Sequence, residues 1–145
     1  MANERNEQVS RRGFDVFNSG DMSVVDEITA DGAVNHDPAT PEEAQGPEGF
    51  KEFVQMYRTA FPDLHITVDD QVSDGDKVCT RWTSEGTNDG ELMGTPATGK
   101  HVKVTGLTID KIEDGKVVES WNQWDNLGLM QQLGLAPEPA GTAAG

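Results

Sequence analysis

The hydrophobic periodicity of this chain changes once, at Pro62, and that change restricts most strongly the folds open to it. Before Pro62 the apolar residues recur at helical spacing, and after it they alternate with polar residues along most of the chain. Short turn signals such as Asp114-Gly115 join the alternating segments, as in antiparallel hairpins. Helices followed by hairpin-linked strands predict an α+β fold with a mostly antiparallel sheet.

Proline and glycine mark the predicted element ends. Pro47 suits the first position of a helix, where its missing N–H is not needed, and Pro62 prevents that helix from continuing. The predicted helices cover about residues 4–19, 23–29, 47–61 and 127–133. The predicted strands cover about 33–36, 64–72, 78–88, 101–112 and 117–126, with loops at 38–47 and 88–100.

Length and charge exclude several classes of protein. The 145 residues suit one ordinary domain, which we expect over 1–135, with a flexible tail over 136–145. The 26 acidic and 11 basic residues leave a net charge of −15, which argues against nucleic acid or an anionic membrane as partner. A single cysteine cannot form an internal disulfide, and no apolar run approaches the roughly 20 residues that span a bilayer. The sequence predicts a soluble cytoplasmic protein.

The last two predicted strands indicate an internal cavity. If their turn contains a glycine bulge, residues 104, 106, 108, 118, 120, 122 and 124 share one face. Small or polar residues on that face would not fill a dry core: Gly106, Thr108, Ser120 and Asn122. The opposite face would carry Leu107, Ile109, Val117 and Trp121 beside Glu119, Gln123 and Asp125. A two-residue turn would shift the faces by one position, and the sequence leaves both registers open.

Two apparent motifs are weak. The segment from Gly94 to Lys100 matches most of a phosphate-binding loop, but His101 replaces the magnesium-binding hydroxyl and a strand pattern follows instead of a helix. We therefore expect a strand connection. The three histidines and Cys79 are too dispersed for a typical metal site, so no metal or other cofactor is expected.

The polar and aromatic residues nearest the predicted cavity are the candidate site. His36 precedes a proline turn at a strand end, which would direct it either to the cavity mouth or to solvent, and its imidazole could transfer protons near neutral pH. The segment Trp121 to Asp125 places either Trp121, Gln123 and Asp125 or Asn122 and Trp124 toward the inside. Such a set of indoles, amides and a carboxylate suits a planar ligand that carries carbonyl groups. Tyr57, on the third predicted helix, is expected to present its hydroxyl to the same cavity.

Several short motifs, taken in order, resemble one family. They are Asn35-His36-Asp37-Pro38, Gly46-Pro47-Glu48-Gly49-Phe50, Ala60-Phe61-Pro62-Asp63-Leu64, Arg81-Trp82-Thr83, Gly86-Thr87, Gly94-Thr95-Pro96-Ala97-Thr98-Gly99, Gly106-Leu107-Thr108-Ile109, Asp114-Gly115-Lys116-Val117-Val118-Glu119-Ser120-Trp121 and Gln132-Leu133-Gly134. Over about residues 5–135 the chain resembles the SnoaL-like polyketide cyclases (ester cyclases). They belong to the cone-shaped superfamily that includes nuclear transport factor two, ketosteroid isomerase and scytalone dehydratase.

That resemblance implies a curved, mostly antiparallel sheet wrapped over the N-terminal helices as a cone with an internal pocket. It also implies a homodimer or homotetramer and cofactor-independent ring closure by intramolecular aldol condensation. The family's catalytic aspartate on the last strand falls on Asn122 here, and its assisting histidine on the preceding strand falls on Thr108.

An asparagine cannot accept a proton as an aspartate does, and three accounts stay open. Another group, His36 or Asp125, takes over as the base; the substrate differs and Asn122 polarises a carbonyl; or the protein binds a ligand without chemistry. We expect general acid/base cyclase, isomerase or lyase chemistry on a small, aromatic or polycyclic, carbonyl-bearing substrate. The candidate catalytic residues are His36, Asn122, Asp125 and Arg81, and the candidate substrate-binding residues are Asn35, Tyr57, Trp82, Thr108, Trp121 and Trp124.

Overall fold

The computed structural model describes residues 3–40 and 44–137 and confirms the α+β fold. The elements are α1 (Glu4–Ser19), α2 (Ser23–Ile28), β1 (Thr29–His36), β2 (Ala44–Gln45), α3 (Gly46–Ala60), β3 (His65–Asp74), β4 (Lys77–Thr87), β5 (His101–Glu113), β6 (Lys116–Trp124) and α4 (Asn126–Gln132). Of the predicted tail 136–145, residues 138–145 lie outside the described residues.

The strands form one six-stranded sheet in the order β2-β1-β6-β5-β4-β3. All neighbouring pairs are antiparallel except β1 and β6, which run parallel. The parallel pair brings the end of β1 beside the middle of β6, with Asn35 opposite Ser120 and His36 opposite Trp121. This register places residues that are far apart in the sequence on one face of the sheet.

Local signals fix the ends of the long helices. Asn3 caps α1 by accepting a hydrogen bond from the Asn6 N–H, and Gly20 ends the helix in the left-handed conformation at φ 73°. Pro47 occupies the first turn of α3, as predicted. Within 3–40 and 44–137, no helix has the length and apolar character needed to cross a bilayer.

The helices pack on one side of the sheet and make it curve. Helix α1 packs against β3 and β4 near one edge, whereas α3 packs against β1 and β2 at the other. The main core lies between them and includes Val16, Val25, Val54, Ala60 and Phe61. Helices α1 and α3 therefore cover the concave face from its two edges, as expected from the resemblance.

The register of β5 and β6 combines the two alternatives that the sequence left open. The turn has two residues, Asp114 and Gly115, both with positive φ, which is the geometry that twists an antiparallel hairpin correctly. A bulge follows, because Lys111 pairs with Glu119 while Ile112 pairs with Val117. The extra residue restores the polar face predicted for a bulged turn. Position 118 was predicted on that face, but Val117 takes the inward place and is buried.

The segment that resembles a phosphate-binding loop is a strand connection, as predicted. It leads into β5 rather than into a helix. Buried Asn88 organises it: the side-chain amide donates to the carbonyls of Ala60 and Gly90, and Oδ1 accepts from the N–H and hydroxyl of Thr98. The polar groups of Asn88 and Thr98 are thus bonded to other groups of the protein.

Candidate active site

A cavity of about 120 Å³ lies between the concave face of the sheet and helices α1 and α3. A site of this volume holds several water molecules or a small organic group. Aromatic side chains dominate its lining: Phe14, Phe17, Phe50, Phe53, Tyr57, Phe61, Trp82 and Trp124. The cavity therefore suits a flat, largely apolar ligand, with specificity supplied by the few polar groups among these walls.

A chain of hydrogen bonds crosses the floor of the cavity from β4 to β1. The Trp82 indole donates to Thr108 Oγ1 at 2.9 Å, and the Thr108 hydroxyl donates to Asn122 Oδ1 at 2.7 Å. The Asn122 amide then donates to Asn35 Oδ1 at 2.7 Å and to the His36 carbonyl at 3.1 Å. Asn122 faces the cavity as predicted, but its oxygen and both amide hydrogens serve protein contacts. Its geometry fits a structural link between strands better than a proton acceptor.

Asp37, directly after β1, is a carboxylate that lines the cavity. It accepts hydrogen bonds from the Ala39 N–H at 2.8 Å and from the Trp124 indole, which lies 3.2 Å from both carboxylate oxygens. Burial raises the pKa of Asp37 above its usual value, although these two donors oppose the shift. A carboxylate with a raised pKa is a stronger base than an exposed one, so Asp37 is suited to proton abstraction.

The hydroxyl of Tyr57 lies near Asp37 and is held in its neutral form. Tyr57 packs edge-on against Trp124, at 6.3 Å between ring centroids, and lines the same cavity. Burial and then the nearby negative charge of Asp37 raise the pKa of the phenol. Its oxygen is buried without a hydrogen-bond partner among the described residues. A buried neutral donor without a partner is suited to bind an oxygen atom of a ligand.

A second carboxylate, Asp110 on β5, also lines the cavity and was not among the sequence candidates. Its two oxygens accept hydrogen bonds from the Ser10 and Ser120 hydroxyls, at 2.8 and 2.6 Å. Burial raises the pKa of Asp110, against the opposing effect of the two serines. Period-two alternation from Gly106 through Thr108 predicts this inward orientation. The polar face predicted for β5 nevertheless stopped at Thr108.

The structure brings six of the ten candidate residues together at the cavity. They are Asn35, Tyr57, Trp82, Thr108, Asn122 and Trp124. Of the two orientations left open for β6, the one with Asn122 and Trp124 inward is observed. Asp37 was not among the residues predicted for the site, although it is part of the motif Asn35-His36-Asp37-Pro38.

His36 lies outside the cavity lining, which is the second of the two orientations that the sequence left open. Because side chains alternate along β1, Asn35 faces inward and His36 faces the outer side of the sheet. There the imidazole Nε2 lies 2.7 Å from a Glu119 carboxylate oxygen and stacks on Trp121 at 5.7 Å between ring centroids.

The other three candidates also lie outside the cavity lining. Arg81 is exposed on β4, with its guanidinium 3.8 Å from the Asp69 carboxylate, and Trp121 lies on the outer side of β6. Asp125 caps α4, because its carboxylate accepts the Gly128 N–H at 2.8 Å. Asp125 is one of the two bases that the sequence offers in place of Asn122, but a helix cap accounts for its position and bonding.

Metal ligation finds no support in this site. In the part of the chain that the structure describes, His, Cys, Asp and Glu side chains form no group of three or more that could hold a metal ion. The polar groups of the lining include amides, hydroxyls and three carboxylates, those of Asp37, Asp110 and the exposed Glu85. This set can move protons and bind oxygen atoms.

We expect Asn122→Asp to lower the free energy of unfolding by about 1–3 kcal/mol at pH 7. The amide that donates to the His36 carbonyl would become a carboxylate oxygen facing that acceptor. Burial and this acceptor would raise the pKa of the new carboxyl in the folded state. The protonated form then stabilises the fold at low pH, and this stabilisation is lost as the pH rises. Urea unfolding of both proteins at pH 4 and pH 7 measures the difference, and an equal loss at both pH values would contradict the argument.

Comparison with known families places this geometry in a wider group. The family described as SnoaL-like polyketide cyclase matches residues 7–133. A curated relative from Streptomyces peucetius, the aklanonic acid methyl ester cyclase DnrD, is 30% identical over 138 residues, which cover 90% of this chain and 92% of that protein.

Solved structures show the same architecture. TsrD from Streptomyces laurentii superposes with a TM-score of 0.82 at 30% identity, covering 94% of this chain and 99% of that one. Wild-type IdmH from Streptomyces antibioticus superposes with a TM-score of 0.76 at 34% identity, covering 89% and 98%. In each comparison the similarity therefore extends over nearly the whole of this chain and of the solved structure.

Proposed function

We propose that this chain, which belongs to the SnoaL-like polyketide cyclase family, closes a carbon ring in a carbonyl-rich aromatic or polycyclic substrate, using Asp37 as the base. The observation that carries the proposal is that Asp37 and the buried Tyr57 hydroxyl, which has no hydrogen-bond partner among the described residues, line the same aromatic cavity. The named activity of the DnrD relative, cyclisation of a methyl ester, supports this class of substrate.

The proposed reaction is an intramolecular aldol addition. The Asp37 carboxylate removes a proton from a carbon flanked by carbonyl groups, and the resulting enolate carbon attacks a second carbonyl of the same molecule. A carbon–carbon bond forms, the attacked carbonyl becomes an alkoxide, and that oxygen takes the proton back. The product has the same atoms and the same oxidation level overall as the substrate, so the reaction needs no cofactor.

Hydrogen-bond donors in a dry site would stabilise the enolate oxygen. The Tyr57 phenol is the best placed of these, because its raised pKa keeps it protonated and its oxygen is buried. The Asn35 amide is a second donor, since Asn35 lines the same cavity and its Oδ1 already accepts from Asn122. Trp82 and Trp124 provide flat walls against which an aromatic substrate can stack.

One observation favours the alternative of a ligand-binding protein without catalysis. The position that carries the base in the resembled family is Asn122, whose polar atoms are all used in bonds to β1 and β5. The aromatic cavity alone would bind a flat ligand. The catalytic and the ligand-binding hypotheses differ in whether Asp37 accepts a proton from the bound molecule.

Turnover of a panel of polyketone methyl esters tests the proposal. Two measurements detect the reaction. The first is a product of unchanged mass with a new retention time, and the second is exchange of the acidic C–H in deuterated water. We expect both in the unmodified protein. If wild type binds the panel without exchange or cyclisation, and Asn122→Asp creates turnover, the ligand-binding reading is the correct one.

We also propose that the chain forms a homodimer or a homotetramer through the outer face of its sheet. Large apolar side chains are exposed there: Leu107, Ile109 and Trp121. Ile109 pairs with Trp121 across β5 and β6, so the two side chains share one patch. Sedimentation equilibrium should give two or four times the 15.7 kDa chain mass, and Ile109→Lys should lower that mass. A monomer at micromolar concentration would refute the proposal.

A further inference from the structure

We infer that Asp110, with Ser10 and Ser120, forms a second polar subsite that binds a hydroxyl group of the substrate. The inference rests on the proposed function for the substrate's identity, but it concerns a different part of the cavity. Asp110 has no part in the proton transfer assigned to Asp37, and a buried carboxylate in an apolar site is costly unless hydrogen bonds offset its burial.

The hydrogen-bond directions decide which ligand group fits. Both serine hydroxyls donate to Asp110, one to each carboxylate oxygen. Each oxygen retains a lone pair, while the two serine hydrogens are already used. A ligand that enters this part of the cavity therefore finds acceptors, and its complement is an O–H donor. A ligand carbonyl would face oxygen atoms and be repelled.

The surroundings strengthen this selection. The apolar side chains of Val9, Ile28 and Val117 line the cavity with the serines and belong to the second core cluster. A hydrogen bond to a carboxylate in such surroundings is stronger than one in water. A methyl ether in place of the ligand's hydroxyl would lose that bond and bury an oxygen without a partner.

The position of Asp110 relative to Asp37 defines the shape of the ligand. Asp110 on β5 lies opposite Ser120 on β6, and Ser120 lies opposite Asn35 on β1, two residues before Asp37. Strand β6 lies between β5 and β1, so two strand spacings of about 4.8 Å lie between the strands that carry or precede the two aspartates. The preferred substrate therefore presents two separate groups, with its acidic carbon at Asp37 and a hydroxyl group at Asp110.

A matched pair of ligands tests the inference without requiring turnover. The probes are 6-hydroxy-2-acetylnaphthalene and its 6-methyl ether, which share a flat ring system and a ketone and differ only at the distal oxygen. Isothermal titration calorimetry at pH 6.5 gives both dissociation constants. We expect wild type to bind the hydroxy compound about 10- to 100-fold more tightly. Equal affinity, or tighter binding of the ether, would overturn the inference.

Two variants assign the preference to the carboxylate. Asp110→Asn keeps the side-chain shape but removes the charge, and we expect its preference to fall to about threefold or less. Asp125→Asn makes the same change to a carboxylate that caps α4 outside the cavity lining, so it should retain the preference. A preference unchanged in Asp110→Asn would overturn the inference. Should that variant fail to fold, a crystal structure of wild type with the hydroxy compound decides: its hydroxyl within 3.2 Å of an Asp110 oxygen supports the subsite, and any other position overturns it.

The same titration separates this inference from the proposed function. Asp37→Asn should keep the hydroxyl preference, because Asp37 lies at the other end of the ligand. Loss of the preference in that variant would overturn the separation of the two subsites. If no cyclisation is found but wild type shows the preference, only the catalytic proposal fails.

Discussion

Asp37→Asn should lower kcat for ring closure by about 100- to 10,000-fold, with a much smaller change in the affinity for substrate. The amide keeps the shape of the carboxylate, and its oxygen can still accept the hydrogen bond from the Ala39 N–H. It cannot accept a proton from carbon. Steady-state kinetics with the best ester of the panel measure kcat and KM separately. A variant with kcat within threefold of wild type would remove Asp37 from the mechanism.

The pH dependence of wild-type activity is an independent test of Asp37 as the base. Burial raises the pKa of Asp37, and the base works only when it is deprotonated. We therefore expect kcat/KM to fall on the acidic side, with its midpoint above the usual range for an aspartate. That limb should be absent from the residual activity of Asp37→Asn, since the titrating group is gone.

Asp125→Asn is the matched control for this variant. It makes the same chemical change to a carboxylate that caps α4 outside the cavity lining. Asparagine is also a good helix cap, so we expect stability and kcat close to those of wild type. A large loss of kcat in Asp125→Asn would restore Asp125 as the candidate base that the sequence indicated.

Gly106→Val should lower the free energy of unfolding by about 1–3 kcal/mol and should also weaken ligand binding. A Cβ atom at this position would lie 2.5 Å from Trp82 Cζ2 and 2.7 Å from Trp124 Cβ. Trp82 cannot move away cheaply, because its indole is buried and donates to Thr108. The absence of a side chain at Gly106 therefore allows two tryptophans to line the cavity together.

Gly32→Ala provides the comparison for Gly106→Val. Gly32 lies in β1 with no heavy atom within 4 Å of a built Cβ and without a positive φ. We expect its stability to equal or slightly exceed that of wild type, because alanine restricts the unfolded chain more than glycine does. Urea unfolding followed by tryptophan fluorescence measures both variants. A Gly106→Val protein as stable as Gly32→Ala would show that the tryptophans can move to make room.

Much of the candidate site was predictable because alternation along a strand is a local property. Once Asn122 and Trp124 are placed inward on β6, Thr108 on β5 follows from antiparallel pairing. The same alternation places Asp110 inward, although the predicted polar face stopped at Thr108 and did not include it. The orientation of His36 stayed open, because the sequence did not determine which side of β1 faces the helices.

The sequence by itself determined the long elements and their order, because the caps, prolines and hydrophobic periods that set them act over a few residues. It did not predict the two-residue strand β2 or the start of β1 at Thr29. The bounds of α1 and the change of period at Pro62 were read from such signals. Only the tertiary structure decided which polar groups share the cavity. The parallel pairing of β1 with β6 brings Asn35 beside Ser120 across 85 positions of chain, and the packing of α1 on the sheet brings Ser10 to Asp110. The burial that raises the pKa values of Asp37 and Asp110 is likewise a consequence of long-range packing, and no local pattern encodes it.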